Sequence, residues 1–408
     1  MRAGIEDIGL YAGRAVLDIG RLAEARGLDP GRMQNLLMKQ KTVALHFEDA
    51  VSFAVNAAKP VVDRLGDDKA SIELLIVATE SGLDFGKSMS TYIHHHLGLD
   101  RHCRTFELKH ACYAGAAALQ MAAAFVHSGS SPGARALVVT TDTARPIPHT
   151  YAEPSQGAAA LAMLVSDRPV VLELEKGATG HYGYEVMDSC RPTAEFETGD
   201  ADLSLLSYLD CIENSCLDYC RKTGVTDIAS HFDYLAFHTP FGGMAKGAHR
   251  SLMRKLKRMP PPAIEEDFHR RLEPSLTYCQ RVGNVYSGTV FLALCGVLER
   301  GCFTSSKRIG LFAYGSGCCS EFFSGMADAA SQQRVASRCF AQHLDARREL
   351  EMGEYEQIVE LARGIPFGAR NGEVDRTALR DIERRYFTGA GLLVFRGIVD
   401  YRREYAWS

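Results

Sequence analysis

The chain has 408 residues, 46% of them apolar and 24% charged, with a net charge of -4, which suits one large α/β unit or two similar halves. The weak acidity gives no reason to expect nucleic acid as a partner, and no apolar run reaches the roughly 18 residues of a membrane span. Glu6 and Asp7 stand where a signal peptide would be basic, so the expected compartment is the cytoplasm, and twelve cysteines without a CxxC pair are too sparse for a disulfide scaffold and give no zinc or redox motif.

Residues 5–11 alternate as a strand does, and residues 17–26 with the basic patch 38–41 lie around short helices or loops. Apolar spacing predicts a helix over 47–65, interrupted at Pro60. A buried strand follows at 71–79, ending in Glu80-Ser81-Gly82, then a helix over 88–97. That helix carries His94-His95-His96, which cannot share one helix face, so no metal site is expected there. Residues 106–125, FELKHACYAGAAALQMAAAF, place Cys112 where a polar run turns into a small-residue apolar helix. The positive end of the helix dipole, with Lys109 and His110 beside it, is expected to lower the thiol pKa and favour a nucleophilic thiolate. The plain alternative is a buried structural cysteine.

Residues 134–141 read as a second buried strand, ending at Asp142, and 156–165 as a third. Residues 170–175 begin another, 177–202 read as loops, and 203–222 as a helix. The arrangement then repeats. A strand at 232–237 ends in His238, residues 284–298 run from a polar turn into an apolar helix, and a strand at 308–314 ends in Gly315-Ser316-Gly317. The repetition implies two similar βαβ-rich halves. The tail from 326 holds a helix at 354–363, a loop about Pro366 and Gly372, and a strand at 391–399. Ligands of parallel α/β sheets bind at the carboxyl ends of strands. Glu80, Asp142, His238 and the GSG turn could therefore converge on Cys112. A thiol, a carboxylate and an imidazole suit covalent acyl chemistry, and a papain-like hydrolase would leave the carboxylate unexplained.

In register, VATES (77–81), FELKHACYAG (106–115), TDTAR (141–145), EPSQGAAA (153–160), RPT (191–193), FHTPFGGMAKGA (237–248), GNVYSG (283–288) and YGSG (314–317) resemble the 3-hydroxy-3-methylglutaryl-CoA synthase family of the thiolase superfamily. The resemblance covers about residues 1–325 and is looser beyond. It implies a thiolase fold, with duplicated βαβ-rich halves in a five-layered αβαβα arrangement. Residues 1–175 would carry the Glu and Cys, residues 176–408 the His and a C-terminal extension, and the protein would be a homodimer. It also implies Cys112 as the acetyl-accepting nucleophile, Glu80 as the base that deprotonates the acetyl methyl, and His238 as the group that stabilises the alkoxide. Backbone N–H groups at Cys112 and near Ser316 would hold the thioester oxygen. Asp142, Asp188, Lys246, Asn284, Tyr286 and Ser316 would bind substrate. No metal or tightly bound cofactor is implied, the substrates being phosphopantetheine-linked acyl groups.

Two departures, LLMKQKTVALHFED (36–49) and the Gly242-Gly243 and Lys246-Gly247 pairs, look like the branch of the family that works in polyketide synthase clusters. That branch adds an acetyl-derived carboxymethyl group to a β-ketoacyl chain. Its partners are an acetyl-loaded donor acyl carrier protein and an acceptor acyl carrier protein. The alternatives are the mevalonate-pathway synthase using acetyl-CoA and acetoacetyl-CoA, and a non-catalytic scaffold that binds carrier proteins. A ketoacyl synthase is disfavoured, because it lacks a glutamate base at the position of Glu80. The stretch 246–258, KGAHRSLMRKLKR, reads either as a docking patch for a phosphopantetheine phosphate and an acidic carrier helix or as a solvated helix face, with Lys246, inside the motif, the expected contact.

Overall fold

Nine strands form one mixed sheet in which a single topology occurs twice. The structure is a computed structural model describing residues 2–143, 146–150, 152–193 and 196–408. In chain order the strands are β1 (Gly4–Tyr11), β2 (Ile72–Ala78), β3 (Arg104–Leu108), β4 (Arg135–Thr143), β5 (Ala158–Ser166), β6 (Leu172–Gly183), β7 (Tyr234–Phe237), β8 (Lys307–Gly315) and β9 (Cys319–Ala327). Their spatial order is β7-β8-β9-β6-β1-β5-β4-β2-β3. In the first half β3, β2 and β4 are parallel, while β4–β5 and β5–β1 are antiparallel. In the second, β7–β8 is parallel, and β8–β9 and β9–β6 are antiparallel. The halves meet only where Gly4 pairs with Glu173 and Ile5 with Leu172.

Side-chain alternation along these strands builds the layers. Leu75, Val77, Leu137 and Val139 face the helix α1 (Ala50–Asp63) in one core. Their neighbours Leu74, Ile76, Ala136 and Val138 face a central core, which holds the helices α2 (Ala114–Ser128) and α5 (Thr289–Arg300). Ile309, Leu311 and Phe323 close that core from the second half. Phe237, Phe312 and Phe322 point the other way, toward α3 (Ala201–Thr223) and α4 (Gly242–Lys257). Helix, sheet, helix, sheet, helix is the five-layered thiolase fold, as expected. The two central helices approach closely because Gly115 has no side chain: a Cβ there would collide with the Ser287 carbonyl.

Several expectations need correction. Helix α1 runs through Pro60. The ring forfeits one backbone bond near the helix end, and the burial of Val51, Phe53, Val55, Val61 and Val62 outweighs it. Residues 177–202, read as loops, contain the outer part of β6 and a hairpin, Ser189–Thr193 with Phe196–Gly199. These strands are largely solvent-facing, so pairing rather than apolar alternation defines them. The same holds for β3, read as a polar run. Leu350, Tyr355, Ile358 and Leu393 of the tail share the core of α1, so the tail, which follows the second half in the chain, folds back onto the first. Among the described residues no helix is long and apolar enough to cross a membrane.

Candidate active site

The parallel pairing of β2 with β4 sets the ends of both strands side by side. Asp142 is fully buried there. Its carboxylate accepts from the Glu80 amide at 2.8 Å, Ser81 Oγ at 3.1 Å, Thr79 Oγ1 at 3.1 Å, the Ser287 amide at 3.1 Å and Ser287 Oγ at 2.5 Å. With both oxygens occupied and no surface on the cavity, Asp142 pins the Glu80 turn to the start of α5. It is a positioning residue, not the substrate contact expected. Ala144 and Arg145, the end of the TDTAR block, lie outside the described residues.

Cys112 sits on the loop between β3 and α2, after Ala111 at φ 41°. Its Sγ–H donates to Glu80 Oε1 at 3.3 Å. The expected low thiol pKa is overturned. Helix α2 begins at Ala114, and the charges around the thiol are acids: burial, then Glu80, Asp142 and Glu197, push its pKa well up. Burial also lowers the His110 imidazole, so it offers no positive charge. Burial and Asp142 raise the Glu80 carboxyl as well, against the opposing pull of Arg191 and the thiol hydrogen bond. Thiol and carboxyl thus form one proton-sharing pair. The proton rests on sulfur or on Glu80, and no cation stabilises a free thiolate.

Arg191 is the residue that the sequence reading quoted within a motif but gave no role. Its Nη2 lies 3.9 Å from Glu80 Oε2 and 2.7 Å from Glu197 Oε2, and its guanidinium is 5.4 Å from the Tyr286 ring. The hairpin mistaken for loop carries both Arg191 and Glu197. The RPT block was the signal available for Arg191; nothing marked Glu197.

The second half contributes neutral groups. His238 follows β7 and is 2% exposed. Its amide donates to the Phe312 carbonyl at 2.7 Å, and its carbonyl accepts from Tyr208 OH at 2.5 Å. Its Nδ1 is buried and, among the described residues, has no partner. Burial pushes the imidazole down to about 3, so it is neutral at physiological pH. Asn284 Oδ1 accepts from the Tyr286 amide at 2.9 Å and from Thr289 Oγ1 at 3.0 Å, which leaves its NH2 as the end that can address a ligand. A Cβ on Gly315 would fall 2.6 Å from the His110 carbonyl oxygen and 2.7 Å from the Tyr113 amide nitrogen, and this close approach seats the Ser316 turn against the Cys112 loop.

Glu80, Cys112, Arg191, His238, Asn284, Tyr286 and Ser316 line one cavity of about 1550 Å³. Two further expected contacts are absent from its wall. Asp188 is buried and accepts from Tyr314 OH at 2.6 Å and the Gly317 amide at 2.9 Å, so it shapes the Ser316 turn from behind. Lys246 on α4 is paired with Glu265 and lies 4.6 Å from the Phe268 ring centroid, turned to its own helix layer. Arg250, Arg254 and Lys255 on α4 are exposed, and Lys255 pairs with Glu213. The arrangement provides a thiol nucleophile, one general base and a set of fixed donors: the parts for acyl transfer and carbanion chemistry.

Residues 2–169 match the family description Hydroxymethylglutaryl-coenzyme A synthase N terminal, and residues 249–371 the C-terminal one. The polyketide biosynthesis 3-hydroxy-3-methylglutaryl-ACP synthase PksG of Bacillus subtilis is 48% identical over 416 residues, with 99% of each chain covered. The hydroxymethylglutaryl-CoA synthase of Enterococcus faecalis is 35% identical, over 88% of this chain and 91% of that one. Among solved structures, the curacin biosynthetic pathway HMG synthase in complex with holo donor-ACP matches with a TM-score of 0.97 and 50% identity over 100% of both chains. MvaS in complex with 3-hydroxy-3-methylglutaryl coenzyme A matches at 0.88 with 30% identity, over 100% of this chain and 99% of that one.

Proposed function

The chain belongs to the hydroxymethylglutaryl-CoA synthase family, and we propose that it is a polyketide β-branching member. It condenses an acetyl group held on Cys112 with the β-ketone of a carrier-protein-bound polyketide. The donor is an acetyl-loaded acyl carrier protein and the acceptor a second carrier protein. The higher identity to PksG and to the curacin enzyme than to the coenzyme A enzymes supports carrier-bound substrates. The observation that carries the chemistry is the Cys112–Glu80 hydrogen bond at the cavity wall.

Cys112 sulfur attacks the acetyl thioester carbonyl while its proton passes to Glu80, and the donor's phosphopantetheine leaves as a thiol carrying that proton. Glu80, again a carboxylate, takes a proton from the methyl of acetyl-Cys112. The enolate oxygen is held by the backbone N–H of Cys112 and by the Ser316 turn. The enolate carbon bonds to the ketone carbon. Neutral His238 donates a hydrogen bond to the ketone oxygen, and the alkoxide takes up the proton from Glu80. Water then cleaves the Cys112 thioester, giving a carboxylate and the free thiol. Arg191 limits the negative charge that builds up about Glu80 and Glu197. Asn284 and Tyr286 position the acceptor. No tightly bound cofactor enters any step.

The exposed cations of α4, a helix that starts beside the cavity mouth at Phe241 and Met244, suit an acidic carrier helix. The unpaired outer edge of β3 and Met121 on α2, 47% exposed, suit a second copy of the chain, as in a homodimer. We divide the halves at about residue 175, before the turn of β6, and place the enzyme in the cytoplasm. Mixing the protein with acetyl-loaded donor carrier and acetoacetyl-loaded acceptor carrier tests the reaction. The acceptor should gain the mass of acetyl plus water. Acetylated Cys112 with an unchanged acceptor would contradict it.

A further inference from the structure

Two cavities reach Glu80, and the mechanism above uses one. The second, about 450 Å³, lies between the first half of the sheet and the C-terminal tail, with Leu45, Leu83, Met89, Ile147 and Ile365 in its wall. Glu80, Gly82 and Arg191 line both cavities, as do Asp84, Lys87 and Phe367. The loop 82–87 is therefore a strap with a passage on either side. Phe85 on this strap meets Phe367 of the tail, ring centroids 5.1 Å apart. Cys112 and His238 line only the larger cavity.

A β-ketone has two substituents. One runs through the thioester to the phosphopantetheine and needs the large cavity, where Cys112 and the carrier-facing mouth are. The other is the rest of the acyl chain, which must leave the reacting carbon in a different direction. For acetoacetyl this is a methyl group, but for a polyketide it is a long chain. The smaller cavity has a volume within the roughly 300–1,000 Å³ of pockets that enclose drug-sized ligands. Its buried acids are already matched. Glu48 accepts from Tyr11 OH at 2.6 Å and the Leu45 amide at 3.1 Å, and Asp49 from Arg403 Nε at 2.9 Å and Tyr405 OH at 2.8 Å. A wall whose charges are paired internally accepts a chain of low polarity without stranding a buried ion.

Resting on the β-branching reading above, we propose that this second cavity is the subsite for the distal acyl chain of the acceptor, the part beyond its β-ketone, and that it sets which chain lengths are condensed. The strap then spans the bound acceptor, with phosphopantetheine on one side, acyl chain on the other and the ketone at Glu80.

The test compares acetoacetyl and 3-oxooctanoyl groups on the same acceptor carrier, with Ile365→Trp to fill the cavity and Ile365→Ala to widen it. Ile365→Trp should reduce turnover of the octanoyl-length acceptor by about tenfold or more, the scale on which pocket shape discriminates apolar groups. It should leave acetoacetyl turnover and Cys112 acetylation at the wild-type level, which also shows that the variant is folded. Ile365→Ala should move the long-to-short ratio the opposite way. If both variants condense acetoacetyl and neither shifts the ratio, the subsite is refuted while the β-branching reading stands. If the wild-type enzyme extends neither acceptor, both fall together.

Discussion

The two halves of the sheet share a topology but divide the chemistry between them. In the first half, β2 ends at Glu80 and α2 is preceded by Cys112. These two groups change protonation, and buried acids around them raise both pKa values. In the second, the corresponding strand β7 ends at His238 and the corresponding helix α5 is preceded by Asn284 and Tyr286. These are fixed donors, and burial keeps His238 neutral. Duplication thus supplies two sets of strand and helix ends facing one cavity, and one set became the proton carrier while the other became the oxygen holder.

Substitutions in the two halves should therefore fail in different ways. Cys112→Ala should abolish acetylation and lower turnover by about 10⁴-fold or more, read by intact mass and product formation, since a nucleophile acts with its base as a unit. Glu80→Gln should cost about 10²–10⁴-fold in carbon–carbon bond formation. With Glu80 raised and needed as the carboxylate, wild-type turnover should be lost as pH falls, with the acid limb well above the ordinary carboxylate range; a limb near 4 would contradict the buried-pair account. His238→Ala should cost about 10²–10³-fold in condensation, the scale of one oxyanion donor, while acetylation of Cys112 persists. Asp142→Asn should lower unfolding stability by about 2–3 kcal/mol, because an NH2 would replace an oxygen that only accepts, and turnover should fall with it; this is read by denaturant titration beside kinetics. At the small end, Lys246→Ala should leave acetylation unchanged and cost at most about 1 kcal/mol, the range of a partly exposed ion pair. Charge reversal at Arg250 and Arg254 should instead raise KM for the carrier proteins in a salt-dependent manner.

His238 also predicts a pH effect on stability, of opposite origin to the usual carboxylate case. Its folded pKa, about 3, lies below the unfolded value near 6.5. Between these values the unfolded chain binds the proton and the folded one does not, so stability falls as pH drops below about 6.5. His238→Gln should flatten that slope by up to ~1.4 kcal/mol per pH unit.

The buried strands β2, β4 and β5 and the helix α5 were legible from the sequence because each is a continuous apolar run. The strand tips were legible because polar residues such as Glu80 and His238 end those runs abruptly. The hairpin that carries Arg191 and Glu197 was not, since its strands bury little and are defined by backbone pairing. Nor was the electrostatic state of Cys112. Sequence puts Lys109 and His110 beside it, but folding sets Glu80, Asp142 and Glu197 around it from strands far away in the chain. Lys246 misled for the same reason, because its motif position says nothing of Glu265 across the helix layer. Conversely, two features that looked separate are one in space. A Cβ on Gly243 would collide with the Asn35 carbonyl, and one on Gly242 would crowd Leu37, so the glycine pair of α4 and the segment around residue 36 are fitted to each other at the cavity mouth.

The most direct test of this division of labour is hydrogen exchange at the methyl of acetyl-Cys112, followed by mass in deuterated water without acceptor. The account predicts exchange in the wild-type enzyme and in His238→Ala, and none in Glu80→Gln. Exchange that survives in Glu80→Gln and disappears in His238→Ala would place the base in the second half and contradict it.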